Sequence, residues 1–435
     1  MHKRKLIASA VLAGMYAGIP AANGAATLTT LVSFSSSSVD GGPDALAVGP
    51  SGNLIGTTAN GGASGAGALF QLSSGSYNLT NLASFIAVNE NDPYDDNGIS
   101  NPIGPFVVGA NGAIYGTANY AAYVPGTGLE DPVAYQYSAG THTITRLTPA
   151  NPPAAFGGVF PTGFISDSAG NLYGYYSGAF NYSSNTYYSS GVFKLNEGTG
   201  TASLFAVFSN LDEQAVGKLA ISSGFVYGTL KDTSGATDGS VFKLNPSNGV
   251  VTTVAAFNEN GSNGVVNSFS LTPQQGLIAD PAGNLYGTAL GGSGGYGVVL
   301  EIPAGSSTIE TLASFNSSNG SYPTGLELDP AGDLFGITGS GGINGDGTVF
   351  EISAGTDTLS TLVNFAGSNG ENPNSLLYSS GVLYGTTAQG TGSALDGTVF
   401  EVSSLSVPEP SSLSMLFASS AFLLKRRNIR HRIGC

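Results

Sequence analysis

Tryptophan is missing from this sequence, cysteine occurs once and histidine three times. The one cysteine, Cys435, is the last residue, so an internal disulfide and a cysteine-held metal centre are both excluded. His2 and His431 lie in the terminal segments, leaving His142 as the sole interior imidazole. That excludes a multi-histidine zinc site and argues against a Ser/His/Asp triad. Any chemistry would fall to carboxylates and tyrosines.

Positive charge is equally scarce. Of 13 lysines and arginines only Arg146, Lys194, Lys218, Lys231 and Lys243 lie between the terminal segments, against nearly all of the 28 acids. The formal charge of -15 therefore understates the acidity of the interior, which is about -22. Such a surface repels phosphate backbones, and no nucleic-acid partner is expected. What the chain does have is glycine, 65 residues in 435. Apolar residues recur throughout, so the composition is not that of a disordered chain, and the length is ample for a large core.

Residues 1–26 combine a basic start (Lys3, Arg4, Lys5), an apolar run over 6–19 and small residues over 21–26. This reads as a secretory signal peptide; the run is broken by Gly14 and Gly18 and is short for a transmembrane anchor. No lipobox cysteine follows, so N-terminal lipidation is not expected.

The interior is built from one unit, seen most clearly over residues 276–315, GLIADPAGNLYGTALGGSGGYGVVLEIPAGSSTIETLASF. Its patterning predicts four strands: a over 276–280, b over 284–289, c over 297–302 and d over 308–315. The strand-b glycines Gly56, Gly116, Gly174, Gly228, Gly287, Gly336 and Gly385 recur every 50 to 60 residues, roughly, a period in the propeller range. A strand c follows each, as in ALFQL at Ala68 and VFEV at Val399. The order is frame-shifted: residues 27–34, TLTTLVSF, match strand d with nothing before them, and no strand d follows the last c.

Seven a-b-c sets, six internal d strands and one orphan d make seven complete sheets only if the N-terminal strand joins the last one. The expected fold is therefore all-β, a seven-bladed β-propeller of four-stranded blades, its ring closed by the N-terminal strand, which also hides a sheet edge. A β-solenoid is the alternative architecture. The expected domains are the signal peptide (1–26), the propeller (27–404) and a C-terminal tail (405–435).

Several recurring residues have structural reasons. In the turns D-P-A-G-N and D-P-A-G-D, Asp280 and Asp329 read first as turn caps. Phe34, Phe85, Phe208, Phe257, Phe315 and Phe365 close strand d and are expected to pack between adjacent blades. The strand-b glycines are expected to permit close approach of neighbouring backbone.

The motif L-Y-G-T-T, a Gly-rich loop, G-T-V-F-E and then T-L-x-x-F resembles the GloVer tandem repeat of bacterial surface proteins that carry one of several C-terminal anchors. The resemblance spans about 27–403 and weakens in the second unit, where Val133 begins an unusual strand c and no clear T-L-x-x-F follows. It brings no catalytic residues. After it, Pro408-Glu409-Pro410, an apolar run over 413–424 and Lys425-Arg426-Arg427 within the basic stretch 425–432 resemble a PEP-CTERM sorting signal. That resemblance implies transient inner-membrane retention and processing by an exosortase-type enzyme. The apolar run is short and contains Ser414, Ser419 and Ser420, so a simple amphipathic C-terminal helix is the alternative.

Ligand sites are expected on the face formed by the b-to-c and d-to-a loops. One candidate is the acidic loop 89–98, where Asp92, Asp95 and Asp96 supply the hard oxygens calcium takes; it reads first as a plain solvated loop and only second as a calcium site, and no other cofactor is expected. The second is the third b-to-c loop, where Tyr175, Tyr176, Tyr182, Tyr187 and Tyr188 could stack on sugar rings while Asn181 and Asn185 bond hydroxyls; packing against a neighbouring loop is the alternative. The leading functional reading is a non-enzymatic protein of the cell surface or extracellular matrix, contacting exopolysaccharide or other glycans. The alternatives are a secreted carbohydrate-active hydrolase or lyase, which needs a convergent carboxylate pair, and a purely structural matrix spacer.

Overall fold

Period-two alternation turns each repeat segment into a short antiparallel strand, and the Gly- and Pro-containing turns between them set the pairing. The computed structural model describes residues 26–34, 41–86, 99–109, 111–119, 133–147, 160–177, 180–181, 186–187, 190–196, 202–208, 213–232, 239–257, 273–292, 294–390 and 397–403. The first unit pairs in chain order as Pro43–Val48, Leu54–Thr58, Ala68–Leu72 and Leu79–Ser84. The second is Ser100–Val108, Ile114–Asn119, Val133–Ser138 and Thr143–Leu147, and the third Phe160–Ser166, Asn171–Ser177, Gly191–Asn196 and Ala202–Val207.

The fourth unit, Glu213–Ser222, Phe225–Asp232, Ser240–Leu244 and Val251–Ala256, is joined by a single parallel bridge, Lys218 to Gly276, to the fifth. The fifth is Pro273–Ala279, Leu285–Ala289, Val298–Ile302 and Glu310–Ser314, and the sixth Ser321–Leu328, Leu334–Ser340, Thr348–Ser353 and Thr358–Asn364. The last set takes Glu371–Ser379, Val382–Gln389 and Thr398–Ser403 from the C-terminal end of the repeats and Thr27–Ser33 from the N-terminal end. The fold is thus all-β and propeller-like.

Thr27–Ser33 occupies the strand-d place in detail. Its register runs from Thr27 opposite Ser403 to Ser33 opposite Thr398, with a bulge between Thr30 and Val32. Strands c and d of the first, third, fourth, fifth and sixth sets are bulged at the matching point, as between Val349 and Phe350. Phe34 N–H donates to the Gly397 carbonyl just as Phe315 donates to Gly297 and Phe365 to Gly347. The second unit differs: its d strand, Thr143–Leu147, pairs without a bulge and without a closing phenylalanine.

Between sheets the core is a relay of rings. All six strand-d phenylalanines are buried, and five pack on a strand-c ring of the neighbouring sheet: Phe34 on Phe70 at 5.2 Å, Phe85 on Tyr135 at 5.0 Å, Phe208 on Phe242 at 5.0 Å, Phe315 on Phe350 at 4.9 Å and Phe365 on Phe400 at 5.0 Å; Phe257 packs in the aliphatic cluster that holds Leu300. Burial of each contributes about 1.5 to 3 kcal/mol. Most strand-b glycines serve this relay rather than the expected close approach of backbone, although Gly385 also lies close to the Ser375 carbonyl and Gly287 faces no ring. Gly56, Gly336 and Gly385 face Phe70, Phe350 and Phe400 across the ladder, and a methyl group on any of them would overlap the facing ring. The glycine is the seat of a cross-strand aromatic side chain.

Candidate functional site

The innermost strand of every set opens onto one cavity of ≈ 760 Å³. Its wall includes Asp44, Ile103, Phe164, Val216, Gly276, Gly325 and Asn374, one residue from each of the seven inner strands. The local sequence explains the wall. Pro43, Pro102, Pro161, Pro273, Pro323 and Pro373 lie at or near the start of inner strands, and in every set the register slips just beyond, as between Pro43 and Leu46 and between Pro373 and Ser375. Proline cannot donate to the ladder, and the bulge that follows turns one residue toward the cavity. Gly276 is required at its bulge, since any side chain there would collide with the Lys218 backbone.

Polar groups on the wall are mostly committed to each other. Asp44 accepts a 2.8 Å hydrogen bond from the Gly104 N–H of the next sheet; burial raises its pKa above the ordinary carboxylate value, and that bond offsets only part of the rise. Asn374 Nδ2 donates to the Pro43 carbonyl at 3.1 Å, and Thr386 Oγ1 donates to Asn374 Oδ1 at 2.6 Å. Lys218 Nζ meets Glu327 Oε1 at 3.5 Å from the inner strand of the sixth set.

A second layer comes from the residue after the strand-b glycine. Thr117 and Thr229 donate to the carbonyls of Ile103 and Val216 at 2.8 and 2.7 Å. Thr57 and Thr288 are buried with hydroxyls that have no hydrogen-bond partner, and Thr288 lines the cavity. An unpaired buried hydroxyl at the wall of a polar cavity is a place for a water or a ligand hydroxyl.

The cavity's two carboxylates, Asp44 and Glu327, are held by a backbone N–H and a lysine. His142 is not brought to it: the imidazole lies exposed in the turn between the second c and d strands, Nδ1 2.9 Å from the Tyr137 hydroxyl. Asp280 and Asp329 act as turn caps, Asp280 Oδ1 accepting from the N–H groups of Gly283 and Asn284 and Asp329 Oδ1 from those of Ala331 and Asp333.

Of the tyrosines expected to stack on sugars, Tyr175 and Tyr176 belong to strand Asn171–Ser177 and are buried, at 0% and 5% exposure. The Tyr175 hydroxyl accepts from the Thr229 N–H of the next sheet at 3.2 Å. Both are core residues and cannot reach a glycan, because the strand runs past the point where the loop was expected to begin. Asn181 and Tyr187 sit in a two-residue pairing, Phe180–Asn181 with Thr186–Tyr187. Tyr182, Asn185 and Tyr188 lie outside the described residues, as do Asp92, Asp95 and Asp96 of the acidic loop and Pro408, Glu409, Pro410, Lys425, Arg426 and Arg427 of the tail. The wall itself was missed; the signal that could have found it is the proline that recurs at the entry to strand a.

Solved structures with this architecture include a catalytically inactive histidine variant of virginiamycin B lyase from Staphylococcus aureus with quinupristin, at TM-score 0.55 and 11% identity, covering 87% of this chain and 99% of that one. A puromycin-hydrolyzing peptidase from Mycobacterium tuberculosis matches at 0.52 and 13% identity over 88% of this chain and 55% of that one. The extracellular domain of a hybrid two-component system from B. thetaiotaomicron matches at 0.52 and 14% over 89% and 44%. Identities this low speak for the fold alone. No curated protein sequence matches the chain. Residues 267–418, which hold the most regular sheets, match the family described as the Gloeobacter/Verrucomicrobia repeat.

Proposed function

We propose that the chain is an exported bacterial protein of the cell surface or extracellular matrix, a non-enzymatic interaction scaffold whose seven sheets close into a seven-bladed propeller. Closure is supported by one recurring contact. Pro102, Pro323 and Pro373 abut Gly67, Gly297 and Gly347 of the preceding sheet, and Pro43 of the first sheet abuts Gly397 of the last in the same way. The observation that carries the non-enzymatic reading is the commitment of both cavity carboxylates to protein partners, which leaves, among the described residues lining the cavity, no free carboxylate pair to converge on a substrate.

The match of residues 267–418 to a repeat family and the PEP-CTERM-like tail support a surface destination. In this reading the signal peptide directs export, the tail is held transiently in the inner membrane, and an exosortase-type enzyme processes it near Pro410. Exopolysaccharide is the partner such a location offers, and the acidic surface disfavours nucleic acid.

Two experiments test this. Mass spectrometry of surface-located protein should find a C-terminus near Pro410; Cys435 still attached would reject the sorting step. Incubation of the full chain with neutral and uronate-containing polysaccharides should release neither reducing ends nor unsaturated products. Turnover would move the protein to the hydrolase or lyase reading, in which the lyase- and peptidase-containing neighbours would gain weight.

A further inference from the structure

Three junctions between consecutive sheets share a backbone device. The Asn101 N–H donates to the Ala66 carbonyl at 2.7 Å, Tyr322 to Tyr296 at 2.9 Å and Asn372 to Asp346 at 3.0 Å. In each case the donor residue lies just before the proline that enters the inner strand and adopts a left-handed conformation, with φ of 49°, 59° and 52°. Asparagine tolerates that conformation, whereas a tyrosine adopts it at a cost. The junction thus selects Asn, and Tyr322 is held there against local preference. Strain of this kind collects where a side chain is needed for something other than folding.

The side chain in question is presented to solvent. Tyr322 is 52% exposed and Tyr296, bonded to it through the backbone, 37%. At the other two junctions the pairs are Asn101 with Ala66 and Asn372 with Asp346, so the fold does not require an aromatic at either position. One junction of the three among the described residues thus carries two exposed tyrosines joined through their backbones. Beside them Ser317 and Ser318 are exposed, and the Ser317 carbonyl accepts from the Gly342 N–H, drawing in the next loop with Ile343 at 82% exposure. Segments 291–297 and 316–322 contain no charged residue.

We propose that Tyr296 and Tyr322 form a stacking platform for an uncharged polysaccharide, which deepens the reading of an interaction scaffold and rests on it. A tyrosine ring covers the apolar C–H face of a pyranose, while its hydroxyl and the neighbouring serines replace water at the sugar hydroxyls. Neutral loops on a protein of net charge -15 favour a neutral chain over a polyanionic one.

Affinity electrophoresis of the full chain in gels containing soluble glucans, mannans or galactomannans, with polygalacturonate as the anionic comparison, tests this. At least one neutral polysaccharide should retard the protein. Tyr322→Asn, which restores the residue found at the two sister junctions, should melt no lower than the parent and weaken binding roughly tenfold, as should Tyr296→Ala, whose counterpart is Ala66. Retardation that both variants keep, or retardation by polygalacturonate alone, overturns the platform and leaves the scaffold standing. No retardation by any of these polymers overturns the platform and the glycan-contacting reading together.

Discussion

The sheets of residues 273–403 and those of residues 100–208 solve one packing problem in two ways. In the former, Phe315 and Phe365 close their strands and lean on Phe350 and Phe400, whose rings lie across Gly336 and Gly385. In the latter, Thr143–Leu147 ends without a phenylalanine, and Phe164 from the inner strand of the third sheet packs edge-on to Phe193 at 5.4 Å. Tyr135 and Phe193 sit across Gly116 and Gly174, and Tyr175 replaces the usual threonine and reaches Gly228 of the next sheet. What these sheets share is a ring lodged over a strand-b glycine, Gly287 opposite Leu300 being the exception. Which strand supplies the ring beside it is free to vary, so sequence regularity can decay while the junction survives.

The largest test of that comparison removes a whole ring-bearing strand. Deleting residues 27–34 takes away the strand paired with Thr398–Ser403 and the Phe34 ring over Phe70. The loss should be at least ~3–5 kcal/mol, the scale of one buried phenylalanine, and the exposed edge should promote association. Thermal melting with size-exclusion chromatography checks it; an unchanged monomer with an unchanged melting temperature would remove the N-terminal strand from the architecture.

Within the regular region, Phe365→Ala should cost ~3–5 kcal/mol in denaturant unfolding, because Phe365 is fully buried against Phe400. Leu147→Ala, at the end of the second d strand, should cost no more than ~2 kcal/mol, since Leu147 is only partly buried and Phe164 carries that junction. Equal costs would mean that the two regions do not differ in the way described. A finer test uses the glycines. Gly336→Ala drives a methyl group into the Phe350 ring and should cost ~1–3 kcal/mol. Gly287→Ala, facing Leu300 with Leu277 Cδ2 3.1 Å away, should cost less than ~1 kcal/mol.

Much of this was legible in the sequence, and the rest was hidden for physical reasons. Strands b and c and the frame-shifted strand d follow from period-two patterning and a repeated glycine, so the pairing of Thr27–Ser33 with Thr398–Ser403 could be read in advance. The second d strand could not, since T-L-x-x-F is absent and only weak alternation marks it. Tyr175 and Tyr176 looked like loop residues because a tyrosine run beside serines and asparagines resembles a binding loop; the ladder simply continues to Ser177. Tyr322 was overlooked because its peculiarity is a backbone angle, which composition does not display.

The smallest expected effect is a difference in how the two regions respond to pH. In the fifth and sixth sheets the strand-c position opposite Tyr286 and Phe335 carries Glu301 and Glu351, where the third and fourth sheets carry Lys194 and Lys243. Burial raises the pKa of Glu301, helped by Asp357, Glu310 and Asp280 and opposed by the Tyr286 hydrogen bond. Burial also raises Glu351, helped by Asp333 and Asp329 and opposed by Ser353. In the third sheet Asp167 goes the other way: burial pushes it up, but hydrogen bonds from Asn171, Ala169 and Tyr173 outweigh burial and lower it. A carboxylate whose folded pKa is raised penalises the native state at neutral pH, and the penalty is relieved as pH falls through the raised value. One whose folded pKa is depressed contributes stability above its unfolded value and loses it as pH falls through the folded one. Acidification from neutrality should therefore first raise the melting temperature through Glu301 and Glu351 and then lower it, Asp167 adding to the fall. Glu351→Gln should melt higher than the parent at neutral pH and show a smaller rise, while Asp167→Asn should melt lower at neutral pH and fall less steeply in acid. A Glu351→Gln curve that overlays the parent at every pH would show that the buried acids of the regular sheets carry no such penalty, and the electrostatic half of the comparison would fail.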